Sequence, residues 1–280
     1  MEHQITETDI RDFQKYLYEE ECCEGTIKKY IRDVRSFQRW VLNQTIQKET
    51  AARWKNHLLE AGYVSTTINS MVSAVNRFFD FMGWTECRVK FLQIQRRVFR
   101  EQTKELSEKE YKKLLRAAER KGQERLELLM ETIGSTGIRV SETTYITVEA
   151  AKTGRAEISL KRKVRVILLP NKLCRKLLRY ARRQNIAAGP IFLTKSGRCL
   201  SRRQIWYEMK QLCKSAGVEE TKVFPHNLRH LFAVIFHRAC NDLVKLADIL
   251  GHSSIETTRI YLISTGKEHA AQIEKLGLVI

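Results

Sequence analysis

Apolar positions in the first hundred residues recur at helical spacing. Ile27, Tyr30, Ile31, Val34, Phe37, Trp40 and Val41 fall three and four apart after Thr26, which reads as an N-cap. Ile68, Met71, Val72, Val75, Phe78, Phe79 and Met82 repeat the pattern after Ser65-Thr66. Two shorter amphipathic segments, near 8–20 and 50–61, complete four, the second ending at Gly62. A small four-helix bundle is the simplest domain that buries such stripes, and their aromatic members read as its core.

Periodicity is lost through Gln95–Lys104, which is mostly polar, and capping-box spacing then appears in Ser107-Glu108-Lys109-Glu110. These signals divide the chain into a helical domain (1–95), a basic linker (96–104) and a second domain (105–280). In the linker Arg96, Arg97, Arg100 and Lys104 suit a strap across a phosphate backbone, or equally a solvated connection. The second domain alternates. Helices are expected near 107–120 and 123–133, then a hairpin of Ala156–Leu160 and Val164–Leu169 turning at Lys161-Arg162-Lys163. Pro170 stops that strand, a helix covers 171–184, and Ile191-Phe192-Leu193 reads as a short strand. Helices near 201–215, 226–238, 242–250 and 254–263 follow, so the fold class is mainly α with a small antiparallel sheet.

Charge narrows the class of partner. Fifty Lys and Arg against 32 Asp and Glu leave a net charge of +18, the footprint of a protein that binds a polyanion. Ribosomal-type and membrane-surface proteins share that balance. The excess is uneven: residues 1–98 hold 15 basic and 13 acidic side chains, the rest 35 and 19. Seven cysteines without metal-ligand or disulfide spacing read as free thiols of a reducing compartment. No stretch approaches the ~20 apolar residues of a membrane span, so the expected location is the cytoplasm, with no membrane partner.

The basic part carries residues suited to phosphodiester chemistry. Breaking that bond requires neutralising the non-bridging oxygens, deprotonating a nucleophile and protonating the leaving oxygen. Arg139, in Thr136-Gly137-Ile138-Arg139-Val140-Ser141-Glu142, and Arg229, in His226-Asn227-Leu228-Arg229-His230, offer planar forks for a phosphate. His226 and Arg229 are three apart and share a helix face. Lys161 at the hairpin turn can reach a leaving oxygen, and Lys163 competes for that role. His252 follows Gly251, a helix C-cap, and Tyr261 lies about two turns into the next helix. A free phenol is only ~0.1% ionised at neutral pH, so such a nucleophile needs cations and a base beside it. Taken singly, Tyr261 is a packed aromatic, His252 a capping or core histidine, Arg139 an ion pair to Glu142 and Lys161 an exposed turn residue. Their joint order lifts them above those readings.

That ordered set, ending in Leu250-Gly251-His252 and Tyr261, resembles the tyrosine recombinase (phage integrase) family, and the preceding bundle is similar to the core-binding domain of Xer-type enzymes. The resemblance implies that Arg139 and Arg229 bind the scissile phosphate and that Lys161 acts on the 5′-leaving oxygen. It implies further that His226 is the base-like partner, His252 a hydrogen-bond donor to the transition state and Tyr261 the nucleophile. The hairpin Ser159–Arg165 departs from the family's usual Gly-Lys-Gly-Asn-Lys-x-Arg, which leaves the lysine open between 161 and 163. The implied reaction is site-specific recombination of double-stranded DNA through a 3′-phosphotyrosine and a Holliday junction, with no cofactor or metal. A homotetramer on paired sites is implied, with an accessory DNA-bending protein left open. The tail Thr265–Ile280 is suited either to docking on a neighbour or to packing on its own domain. Two rivals remain: a non-catalytic regulator using Leu243–Tyr261 as a helix-turn-helix with Arg259 in a groove, and a type IB topoisomerase-like relaxase.

Overall fold

The computed structural model describes residues 3–42, 44–94, 105–160, 163–252, 254–259, 261 and 274–275, with Leu160 and Lys163 described in their backbone alone. The chain forms two compact units, Met1–Arg96 and Arg97–Ile280. The linker residues Arg96, Arg97, Arg100 and Lys104, the turn residue Lys161 and nearly all of the tail Thr265–Ile280 lie outside the described residues, as does the side chain of Lys163.

The first unit contains α1 (Glu7–Glu19), α2 (Glu24–Val41), α3 (Lys48–Glu60) and α4 (Ser65–Met82). Their apolar stripes meet in one core built around Phe13, Phe37, Trp54, Phe78 and Phe79. Thr6 and Asp9 close a capping box at the start of α1. α2 begins earlier than expected, because Cys23 and not Thr26 occupies the N-cap. Two asparagines on α4 then clamp the segment that leaves the bundle. Asn76 donates to the Val89 carbonyl at 2.9 Å and accepts from the Val89 N–H at 3.1 Å. Asn69 does the same for Leu92, at 2.9 and 2.7 Å. An extended segment without a strand partner thus satisfies its backbone groups on side chains.

The second unit opens with α5 (Glu108–Arg120), whose Ser107–Glu110 capping box forms as the spacing predicts. α6 (Glu124–Thr136) ends at Gly137, and a 3₁₀ turn, Val140–Tyr145, and the short α7 (Val148–Thr153) follow. Neither of these last two was expected: six residues are too few for apolar periodicity to register. β1 (Arg155–Leu160) and β2 (Lys163–Leu168) pair antiparallel with Arg155 opposite Leu168 and Leu160 opposite Lys163. Ala156, Ile158 and Ile167 face the core, while Val164, Val166 and Leu168 are exposed on the opposite face. The Tyr145 hydroxyl donates to the Ser159 carbonyl at 2.6 Å and ties the hairpin to the 3₁₀ turn.

α8 (Asn171–Arg183), α9 (Arg202–Ala216), α10 (Pro225–Cys240), α11 (Leu243–Leu250) and α12 (Ile255–Arg259) complete the unit. The strand expected at Ile191–Leu193 does not form. Isolated bridges join Thr147 to Pro190 and Leu193 to Cys199, and the tight loop closed by Thr194 N–H on the Arg198 carbonyl leaves no room for a ladder. Ile191 and Phe192 are core residues all the same. α6 and α10 pack on each other, which brings the end of α6 beside Arg229. All seven cysteines are free thiols, and among the described residues no helix is long and apolar enough to cross a membrane.

Candidate active site

The last carbonyls of a helix have no partner within it and carry its negative dipole end. Two such ends converge on Arg229 of α10, which is 2% exposed. Its guanidinium donates to the Gly137 carbonyl at 2.7 Å, at the C-cap of α6, and to the Leu250 carbonyl at 2.8 Å, the last residue of α11. The approach demands glycine at 137. Its φ is +67°, and a Cβ there would lie 2.5 Å from Phe232 Cδ1 and 2.8 Å from Leu250 Cδ2. Gly251 repeats the arrangement after α11, with φ +64° and the Arg165 side chain 2.6 Å from where a Cβ would stand.

Arg139 caps the 3₁₀ turn. Its backbone N–H reaches Glu142 Oε2 at 2.7 Å, and its guanidinium donates to Glu142 Oε1 at 3.0 Å and to the Gly251 carbonyl at 3.3 Å. The ion pair with Glu142 therefore forms, yet the arginine stays 42% exposed while the carboxylate is only 2% exposed. Glu142 also pairs with Arg165, which donates to the Ile249 carbonyl at 3.0 Å as well. Arg165 Nε is buried without a partner. One buried carboxylate thus aligns two guanidiniums, and Arg229 makes a third beside them. Desolvation first, then the neighbouring Arg139, pushes the Arg229 pKa down to about 10, partly offset by its contact with the Tyr261 hydroxyl. Arg229 remains a cation at neutral pH. Three guanidiniums against a single carboxylate leave a net positive, partly desolvated site, which is a receptor for an anion.

Tyr261, two residues beyond the described end of α12, is 7% exposed. Its ring stacks on His252 with centroids 5.7 Å apart and planes 11° apart, and lies 5.7 Å from His226 and 5.4 Å from His230. His226 is exposed near the start of α10, and His230 one turn later is buried. The His252 ring is bound at both nitrogens: Nε2 to Arg229 Nη2 at 2.8 Å and Nδ1 to Thr258 Oγ1 at 2.7 Å. Burial, then Arg229, Arg139, Arg165 and His226, pushes the His252 pKa down to about 4.

The structure therefore gathers Arg139, His226, Arg229, His252 and Tyr261, which are spread over more than a hundred residues of sequence. It also adds groups that pattern reading did not rank. Arg165 shares the inward strand face with Ile167, so the two-residue period could have revealed it. Thr258 lies three residues before Tyr261 and His230 four after His226, spacings that share a helix face. Of the residues in the helix-turn-helix reading of Leu243–Tyr261, Arg259 is exposed, but Thr258 and Tyr261 are turned inward against His252 and are not available to a groove.

Comparison with known proteins matches two separate stretches of the chain. Residues 104–268 match the phage integrase family, and residues 10–86 match the phage integrase N-terminal SAM-like domain. The tyrosine recombinase XerA of Thermococcus kodakarensis is 29% identical over 282 residues, covering 95% of this chain and 96% of that protein. The tyrosine recombinase XerC of Roseiflexus castenholzii is 30% identical over 221 residues, covering 73% and 70%. In fold, the chain is similar to a lambda integrase tetramer solved bound to a Holliday junction, with a TM-score of 0.72, 17% identity, and coverage of 91% of this chain and 76% of that one. A family match over more than half of the chain, with relatives along nearly all of it, makes this protein a member of the phage integrase family, the tyrosine recombinases.

Proposed function

We propose that this protein is a site-specific recombinase that cuts and rejoins double-stranded DNA with Tyr261 as nucleophile. The observation that carries the reading is the excess of guanidinium around a tyrosine ringed by three imidazoles. A scissile phosphate takes the place that Arg139 and Arg229 prepare, and Glu142 holds Arg139 and Arg165 in register for it. His226, within ring contact of Tyr261, takes the phenolic proton. The phenolate oxygen attacks phosphorus, leaving a 3′-phosphotyrosine and a free 5′-hydroxyl, with Lys161, or Lys163, protonating the departing oxygen. A 5′-hydroxyl from the partner duplex then attacks the protein–DNA ester, releasing Tyr261. Two such rounds pass through a Holliday junction.

His252 enters this scheme from an unexpected side. A guanidinium can only donate, so His252 Nε2 is an acceptor while it faces Arg229. An incoming phosphate competes for that donor, and His252 donates to the transition state once Nε2 has gained a proton.

On this reading residues 1–95 clasp the duplex, residues 96–104 strap its backbone and residues 105–280 perform the chemistry, in the cytoplasm. Four protomers assemble on two sites, as the lambda integrase tetramer does on its junction, with the tail from Thr265 onward docking between neighbours. Integration, excision, inversion and dimer resolution share this chemistry. Incubation with paired target sites in EDTA tests the reading. A covalent protein–DNA adduct with exchanged strands supports it. A mobility shift without an adduct would identify a regulator, and sequence-independent relaxation without exchange a relaxase.

A further inference from the structure

The imidazole of His252 is held from both sides, and the two partners differ in kind. On one side Arg229 Nη2 stands 2.8 Å from Nε2 and offers only hydrogens, so the Nε2 lone pair points at it. At neutral pH the ring carries a single proton, because burial and the surrounding Arg229, Arg139, Arg165 and His226 disfavour a second. That proton is therefore on Nδ1, which donates to Thr258 Oγ1 at 2.7 Å. Thr258 has no exposed surface, so water does not substitute for its hydroxyl. The partner of one ring nitrogen decides what the other can do.

We propose that Thr258 is a positioning residue for DNA cleavage, fixing His252 as the Nδ1–H tautomer and thereby presenting Nε2 toward the phosphate site. The inference rests on the cleavage reading above. With Nδ1 already engaged, proton uptake at Nε2 gives an imidazolium that keeps its Thr258 bond and donates from Nε2 to a phosphate oxygen. Without the hydroxyl, the Nδ1 proton that Arg229 imposes is buried with no acceptor, so the ring turns away from Arg229 and loses both its orientation and its single tautomer. The threonine hydroxyl suits this task because it can stay an acceptor in both protonation states.

The test compares Thr258→Val, which keeps buried volume but deletes the hydroxyl, with Thr258→Ser, which keeps it. Each full-length variant is scored for covalent capture on a nicked suicide duplex, and for the ¹⁵N ring signature of His252 in the DNA-free protein. Thr258→Val is expected to bind the duplex normally and to capture about tenfold or more slowly, the scale of losing a hydrogen-bonded orienting partner. Its His252 spectrum should lose the Nδ1–H signature, and Thr258→Ser should restore both rate and spectrum. Capture by Thr258→Val at the parental rate would overturn the proposal. So would equal slowing of the Val and Ser variants with the ring signature unchanged, which marks a packing role. Undiminished capture by Tyr261→Phe would instead remove the nucleophile assignment beneath it, while the ring spectrum still reports on Thr258 by itself.

Discussion

Arg229 ties the ends of α6 and α11 together and faces the imidazole of His252, so its removal has two separable consequences. Arg229→Ala leaves two buried carbonyls and a ring nitrogen without a donor. Thermal or denaturant unfolding should register a loss of about 2 kcal/mol or more, the scale of buried acceptors left unpaired. Cleavage should fall further, on the order of 10²–10³, the effect of deleting a single preorganised donor to a developing oxyanion. Measuring both at a temperature where the variant is folded separates them, and near-normal cleavage there would remove Arg229 from the chemistry. At this scale the residue types were legible in the sequence, because Arg, His and Tyr in a fixed order have few joint explanations. Their present engagement was legible only in part: the Arg139–Glu142 pair follows from a spacing of three, but the Gly251 carbonyl that shares the guanidinium lies more than a hundred residues away.

At the scale of elements, two glycine C-caps set the geometry. Gly137 ends α6 and Gly251 ends α11, and each admits a neighbouring side chain where a Cβ would stand. Gly137→Ala must both adopt a left-handed backbone and push Phe232 aside. Its cost should reach about 1–3 kcal/mol from the backbone alone, read as a lowered denaturation midpoint, with a loss of cleavage as the Arg229 anchor shifts. A variant as stable as the parent would show that α6 and α10 can repack at no cost. The long helices were visible in the sequence because their stripes run for three or more turns, as α2 and α4 illustrate. The 3₁₀ turn and α7 leave no periodic signal in the sequence, because they bury residues through tertiary contacts. The reverse holds at Ile191–Leu193, where apolar character reflects core burial without a strand partner.

For the molecule as a whole, each unit has a core of its own: one built on Phe13, Phe37 and Trp54, the other on residues such as Leu114, Leu129 and Ile133. A fragment of residues 1–96 should therefore fold alone, giving a helical circular dichroism spectrum and one cooperative melt. A non-cooperative melt would mean that its core needs the rest of the chain. Lost periodicity and capping-box spacing marked the division in the sequence, and the charge counts then showed a nearly neutral first part and a strongly basic second one. The motif residues Arg139 to Tyr261 fall in that basic part, as does the guanidinium cluster.

DNA cleavage by this protein rests on Tyr261, whose ring the three histidines surround. Its most direct test is denaturing electrophoresis of the parental protein and Tyr261→Phe after incubation with a nicked suicide duplex. With Tyr261 as nucleophile, the parent gives a covalent protein–DNA band, Tyr261→Phe gives none, and both bind DNA equally in a native gel. A covalent band of undiminished intensity from Tyr261→Phe would contradict that role.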